Sequence, residues 1–181
     1  LANIGSETLS LVVFDDDVPV SLKVFPEGSG DITNTIALSF QIPLTEAEQM
    51  KRGAVTGSDI APKKIQTIVT SQLRDMFGLI NTHLKSIGRS RLLPAGIVIT
   101  GGGSGLEAVS EIAKTVLKLP SQIGQAGNLA RTAASDATWS VAYGLCRWAY
   151  GEDMSDRGHS LGDMFSHGWE SFKQSFRALL P

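Results

Sequence analysis

Residues 95–109 read AGIVITGGGSGLEAV: an apolar run at Ala95–Thr100, then Gly101-Gly102-Gly103-Ser104-Gly105, then a helical pattern from about Leu106 to Leu117. A short apolar run closed by glycines predicts a buried strand, and the chain turns straight from it into a helix. Consecutive glycines at such a turn let backbone amides approach a ligand where any Cβ would block it, and a helix N-terminus adds a favourable dipole. The same glycines also suit a tight turn that merely needs positive φ, and the residues alone leave both readings open. No Lys-Ser or Lys-Thr follows them, as a Walker loop requires. The pattern is not a dinucleotide fingerprint either, because no acidic residue closes a second strand at the expected distance. Strand, glycine turn and helix, in a chain that mixes both element types, predict an α/β class.

Upstream of this unit, Ile65, Ile68, Val69, Leu73, Met76, Phe77, Ile80, Leu84 and Ile87 recur at helical spacing. They predict one long amphipathic helix from Ala61 to about Ile87, closed by Gly88. Further back, Leu9–Val13 and Val18–Phe25 are β-rich runs around the acidic turn Asp15-Asp16-Asp17, predicting a hairpin with a short strand before it at Ala2–Ile4. Asp31 is placed as the N-cap of a helix bearing Ile32, Ile36 and Phe40, which Pro43 stops. Thr45-Glu46-Ala47-Glu48 has the capping-box pattern of a further short helix ending at Gly53. Downstream, a short strand at Ser121–Ile123 and a helix from roughly Asp136 to Tyr150 are expected. The polar, Gly-containing stretch 151–160 reads as a linker before a last helix, so the chain divides into 1–150, 151–160 and 161–181.

A chain of 181 residues, 42% hydrophobic and 19% charged, holds enough apolar material for a packed domain. A net charge of -2 with no basic, aromatic-interleaved run argues against nucleic acid as a partner. The lone Cys146 leaves no intramolecular disulfide or cysteine zinc site and fits a reducing cytosol. His83, His159 and His167 share no ligand spacing, so no metal site is expected from them. No apolar stretch approaches the roughly 18 residues of a membrane span. The short run Leu9–Phe14 has no basic leader, so no signal peptide is read there, and the opening at Leu1 is taken as the start of a fragment.

Two further clusters accompany the glycines. Glu48 and Lys51 share a helix face, with Arg52 beside them. They form either a solvated helix end or, opposite the glycine turn, a bracket for a ribose and a purine. Ile4-Gly5-Ser6-Glu7-Thr8 lies between two strands, where small residues either make an ordinary turn or wrap a phosphate with backbone amides. In the tail, Leu161, Met164, Phe165, Trp169, Phe172, Phe176, Leu179 and Leu180 follow steps of three and four, with Lys173 and Arg177 off the stripe. Such a helix suits a lipid headgroup layer, with Phe165, Trp169, Phe172 and Phe176 as the inserting side chains.

Taken together, ANIGSETLSLVVFDDDVPV (2–20), FPEGSGDITNTIALSFQIPLTEAEQMKR (25–52), LLPAGIVITGGGSGLEAVSEIAKTVLKLPSQIG (92–124) and SDATWSVAYGL (135–145) resemble the C-terminal half of the actin-like ATPases of the FtsA type. The resemblance implies an RNase H-like lobe with a small helical subdomain and a C-terminal amphipathic helix. It implies ATP and Mg2+ as ligands: Gly5, Ser6 and Thr8 facing the β- and γ-phosphates, Glu48, Lys51 and Arg52 lining ribose and adenine, and Gly101, Gly102 and Gly103 flooring the adenosine pocket. It also implies a tubulin-like FtsZ partner, actin-like self-association, and a peripheral place on the cytoplasmic face of the membrane at the division septum. The phosphate loop departs from the family pattern: Asn3 stands where Asp is usual, and Ser6 and Glu7 replace glycines. Weak or absent hydrolysis is therefore expected. The alternatives from the same superfamily are half of a sugar or acetate kinase-like phosphotransferase and a pilus-assembly actin-like protein.

Overall fold

Leu9, Leu11 and Val13 alternate with more polar or exposed positions, so one face of their strand is apolar and must be covered. In the computed structural model, which describes residues 1–54, 60–124 and 137–156, those three side chains are buried in β2 (Leu9–Asp15). The strand β2 pairs antiparallel with β3 (Val18–Phe25) through a two-residue turn. Asp16 and Asp17 both take positive φ there, 47° and 63°, the left-handed geometry that matches the twist of paired strands. On its other side β2 pairs antiparallel with β1 (Ala2–Ile4), in the register Ala2↔Leu11 and Ile4↔Leu9.

From β3 the chain passes through α1 (Ser29–Phe40), α2 (Leu44–Lys51) and α3 (Pro62–Ser86) before returning as β4 (Ile97–Thr100), which lies parallel to β1 with Asn3 opposite Thr100. A 3-10 turn (Gly102–Gly105) and α4 (Val109–Leu117) then lead to β5 (Ser121–Ile123), parallel to β4. The sheet order is β3-β2-β1-β4-β5. After β1 the chain goes to one side of the sheet and after β4 to the other. The carboxyl ends of these adjacent parallel strands therefore flank a crevice, the usual place for a ligand in an open α/β sheet.

Helix α3 follows the sequence pattern closely. Ile65, Val69, Leu73, Met76, Phe77, Ile80 and Leu84 are buried in one core with β2 and β4, while Ile68 and Ile87 pack at its margin. Pro62 stands in its first turn, and Gly88 at φ 68° lets the chain turn away.

Four expectations need correction. Asp31 is not the N-cap of α1. Gly28 is, and Asp31 reaches back from the third helical position to accept the Gly28 N–H at 2.8 Å. The capping box at Thr45 does not form: Pro43 precedes α2, and the Glu48 carboxylate is taken by Thr33, Lys51 and Arg52 instead of the cap backbone. Helix α4 starts at Val109, not Leu106, because the glycines close their own 3-10 turn and Ala108 adopts a left-handed conformation before the helix begins. Beyond a 3-10 turn at Ala137–Trp139, α5 (Ser140–Asp156) continues through the first part of the stretch read as a linker. Leu1–Val141 is one compact unit and Ala142–Pro181 a second, in which α5 is the described element. The tail helix expected at 161–181, with Phe165, Trp169, Phe172 and Phe176, lies outside the described residues.

Candidate functional site

The β1–β2 turn begins where β1 ends, and its shape is fixed by backbone bonds. Gly5 N–H donates to Thr8 O at 2.9 Å, closing the turn. Its carbonyls are then taken by the start of α1: Ser29 N–H donates to Gly5 O (2.8 Å) and Gly30 N–H to Ser6 O (2.7 Å). A side chain at Gly28 would overlap the Ser6 carbonyl, so the turn and the helix touch backbone to backbone. To the residues singled out above the structure adds Gly28 and Gly30. Their signal was the Gly-Ser-Gly spacing just before a helix.

At the end of β4, Gly101 sits at φ 88°, ψ 173°, a conformation that is essentially glycine's own. An added Cβ would lie 2.5 Å from both Asn3 Oδ1 and the Ile4 carbonyl, and one at Gly103 would run into the Ile4 side chain. These two glycines let the turn pack on β1. Around Gly102 and Gly105 there is open space instead. Ser104 is buried, and its hydroxyl donates to Gly101 O at 2.7 Å, which ties the turn rather than offering a nucleophile.

Helix α2 brings the charged cluster to the same end of the sheet. Lys51 is almost wholly buried, its side chain 4% exposed, and its ammonium donates to Ser29 O (2.9 Å), Thr33 Oγ1 (2.8 Å) and Glu48 Oε2 (2.6 Å). Thr33 Oγ1 donates to the same Glu48 oxygen at 2.6 Å, and Arg52 Nε meets Glu48 Oε1 at 2.7 Å from a side chain 75% exposed. Partial burial pushes the Glu48 carboxyl up, but hydrogen bonds from Lys51, Thr33 and Arg52 and the Lys51 charge outweigh it and hold it down at about 2.

That depression has a consequence for stability. A carboxyl ionising below its unfolded value contributes stability that is full above about pH 4.3 and is lost as pH falls towards about 2. Glu48 is one third exposed, so screening leaves an expected contribution of about 1–2 kcal/mol. Urea unfolding at stepped pH should show the chain losing more stability between about pH 5 and 2.5 than its Glu48→Gln variant does. Parallel curves would mean that Glu48 carries no such linkage.

Two cavities adjoin this cluster. One, of about 780 Å³, lies between the β1–β2 turn, the start of α1 and α2, with Ser6, Glu7, Gly30, Asp31, Glu48 and Arg52 on its walls. The other, of about 560 Å³, is bordered by Lys51, Arg52 and Gly53 on one side and Gly105 and Glu107 on the other. Arg52 borders both. Of the residues singled out from sequence, Ser6, Glu48, Lys51 and Arg52 therefore line cavities. Gly5 and Thr8 are bonded to each other, and Gly101 and Gly103 pack on β1. From the glycine run it is Gly105, with Glu107 after it, that faces the α2 end. Among the described residues no three His, Cys, Asp or Glu side chains are grouped to hold a metal ion, and no helix is long and apolar enough to cross a membrane.

The sequence profile of the family described as "Cell division protein FtsA" matches residues 1–144. The cell division protein FtsA of Pseudomonas aeruginosa is 26% identical over 145 residues, covering 68% of this chain and 35% of that protein. Among solved structures, a PilM-PilN type IV pilus biogenesis complex is 26% identical with a TM-score of 0.57, over 68% of this chain and 34% of that one. MreB 5 of Spiroplasma citri bound to AMPPNP is 13% identical with a TM-score of 0.65, over 86% of this chain and 54% of that one, a likeness of fold. The chain spans 35–45% of the length of the curated relatives it matches.

Proposed function

The chain belongs to the FtsA family of cell-division proteins, and from that premise we propose that it is an adenine-nucleotide-binding lobe of an actin-like adaptor linking an FtsZ filament to the membrane. One observation carries the reading: the Lys51–Gly53 end of α2 and the Gly105–Glu107 segment, far apart in sequence, border a single cavity of about 560 Å³. That volume lies in the range of small-molecule sites. Two of its lining residues, Gly105 and Glu107, follow the carboxyl end of β4, and the carboxyl ends of parallel strands are where such sheets place ligands. Glu48 lines the neighbouring cavity of about 780 Å³ and, kept ionised, would offer an acceptor to a ribose where the two cavities meet at Arg52. Ser6 and the rest of the β1–β2 turn would lie on the phosphate side. Self-association into actin-like filaments, FtsZ as partner and a site at the septum on the cytoplasmic face are part of the same proposal.

Filling the cavity tests the nucleotide. No atom lies within 4 Å of a Cβ added at Gly105 and its φ is not positive, so a side chain can be built out there, and circular dichroism checks that Gly105→Trp is folded. It should weaken binding of a fluorescent adenosine nucleotide by about tenfold or more, which is 1.4 kcal/mol. Unchanged affinity in a folded variant would remove the cavity from the site.

The membrane role rests on the stripe from Leu161 to Leu180 and has its own test. The 181-residue chain should co-sediment with vesicles containing anionic phospholipid, and a chain lacking 161–181 should lose most of that binding. Equal sedimentation of the two would end the tether reading. A pilus-assembly role is the second reading, favoured by the 26% identity to the PilM-PilN complex. Co-sedimentation with FtsZ filaments would separate the two.

A further inference from the structure

We infer that this site grips the nucleoside end of an adenine nucleotide and gains no affinity from the β- and γ-phosphates or from Mg2+. The inference rests on the nucleotide-binding reading above and concerns which part of the ligand this chain holds.

Three observations lead to it. The cavity on the phosphate side carries the carboxylates Glu7, Asp31 and Glu48 against one cationic side chain, Arg52, already paired to Glu48 at 2.7 Å. Lys51 directs its ammonium to Ser29 O, Thr33 Oγ1 and Glu48 Oε2, so it cancels one carboxylate charge but offers no donor to a phosphate. With Lys51 and Arg52 both counted against Glu7, Asp31 and Glu48, one negative charge is left over, so a highly charged triphosphate would enter a region of its own sign.

Four backbone donors in the turn and at the start of α1 are engaged, which leaves the Ser6 and Glu7 amides at the turn tip beside the Glu7 carboxylate. Gly5 N–H is closed on Thr8 O, Gly28 N–H on the Asp31 carboxylate, Ser29 N–H on Gly5 O and Gly30 N–H on Ser6 O. A loop or helix start holds phosphate through free N–H groups, and these four already have protein acceptors. Nor is a carboxylate present at the end of β1. Asn3 stands there, its side-chain oxygen 3.4 Å from the Thr100 hydroxyl, and a neutral amide does not organise Mg2+ and its waters as a carboxylate does. On the nucleoside side, by contrast, the space beside Gly105 is open. The groups present therefore fit adenosine and do not fit a magnesium triphosphate.

Isothermal titration of the 181-residue chain with AMP, ADP and ATP, each with Mg2+ and with EDTA, tests this directly. The expected result is three dissociation constants within about threefold of one another, or in the order AMP tightest, unchanged by Mg2+. Glu7→Gln removes one exposed charge while keeping the side chain's size. At low salt it should tighten ATP by about threefold relative to AMP. ATP bound tenfold more tightly than AMP, or tightened by Mg2+, would overturn the inference and leave the adenosine pocket standing. No binding of any of the three would overturn the pocket itself, and the inference with it.

Discussion

Gly101→Ala is expected to destabilise the chain by roughly 2–6 kcal/mol, the summed ranges for a forced backbone conformation and for overpacking. Both contributions act at one atom. At φ 88° and ψ 173° the backbone is in a region that side chains almost never adopt, and the added methyl would sit 2.5 Å from the Ile4 carbonyl and from Asn3 Oδ1. The neighbours have nowhere to go: Ile4 is fully buried in β1, and β1 is fixed by register to both β2 and β4. Relief would require parting β1 from β4 at the mouth of the crevice. The melting temperature should drop by about 5–20 °C. The adjacent Gly102→Ala is the control. It has no atom within 4 Å of the new methyl and no positive φ, so its cost should stay within about 0.5 kcal/mol. Equal melting temperatures for the two variants would show that the bend does not hold the β1–β4 contact described above.

Lys51→Met should cost about 2–4 kcal/mol, somewhat below the usual cost of breaking a wholly buried ion pair because Glu48 retains some solvent. Methionine matches the stem but leaves Ser29 O, Thr33 Oγ1 and Glu48 Oε2 without the ammonium that now joins α1 to α2. Arg52→Met removes the other cation on the same carboxylate, yet its side chain is 75% exposed, and the expected change is at most about 0.5 kcal/mol. Urea midpoints for the two variants would read the difference. Adding Glu48→Gln to Lys51→Met should recover part of the loss, since the stranded charge goes with it. If Arg52→Met proved the more damaging, Lys51 would not be the link between the helices.

These effects explain why some parts of the site are legible in the chain itself and others are not. The pattern of α3 was legible because seven buried side chains recur at one helical spacing, a property of the chain itself. The hairpin was legible for the same reason, its alternation and acidic turn both being local. Glu48, Lys51 and Arg52 could be named as a group from their spacing, but Glu48 could equally have capped its own helix. Thr33, fifteen residues away, decided otherwise by donating to it at 2.6 Å. Likewise the glycine run announced a turn, but which glycine faces open space and which faces β1 depends on Ile4, nearly a hundred residues earlier in the chain.

Local periodicity and turn chemistry, together with the motifs quoted above, were sufficient for the α/β class, the order of elements and membership of an actin-like family. Hydrophobic spacing acts over a few residues and so is written into the chain. The tertiary structure decided what the polar groups do: Lys51 turned inward, the first amides of α1 spent on the β1–β2 turn, and Gly105 rather than Gly101 set toward the α2 end. A donor or carboxylate takes whichever partner the fold brings within about 3 Å, and that partner is fixed only when distant strands and helices have packed.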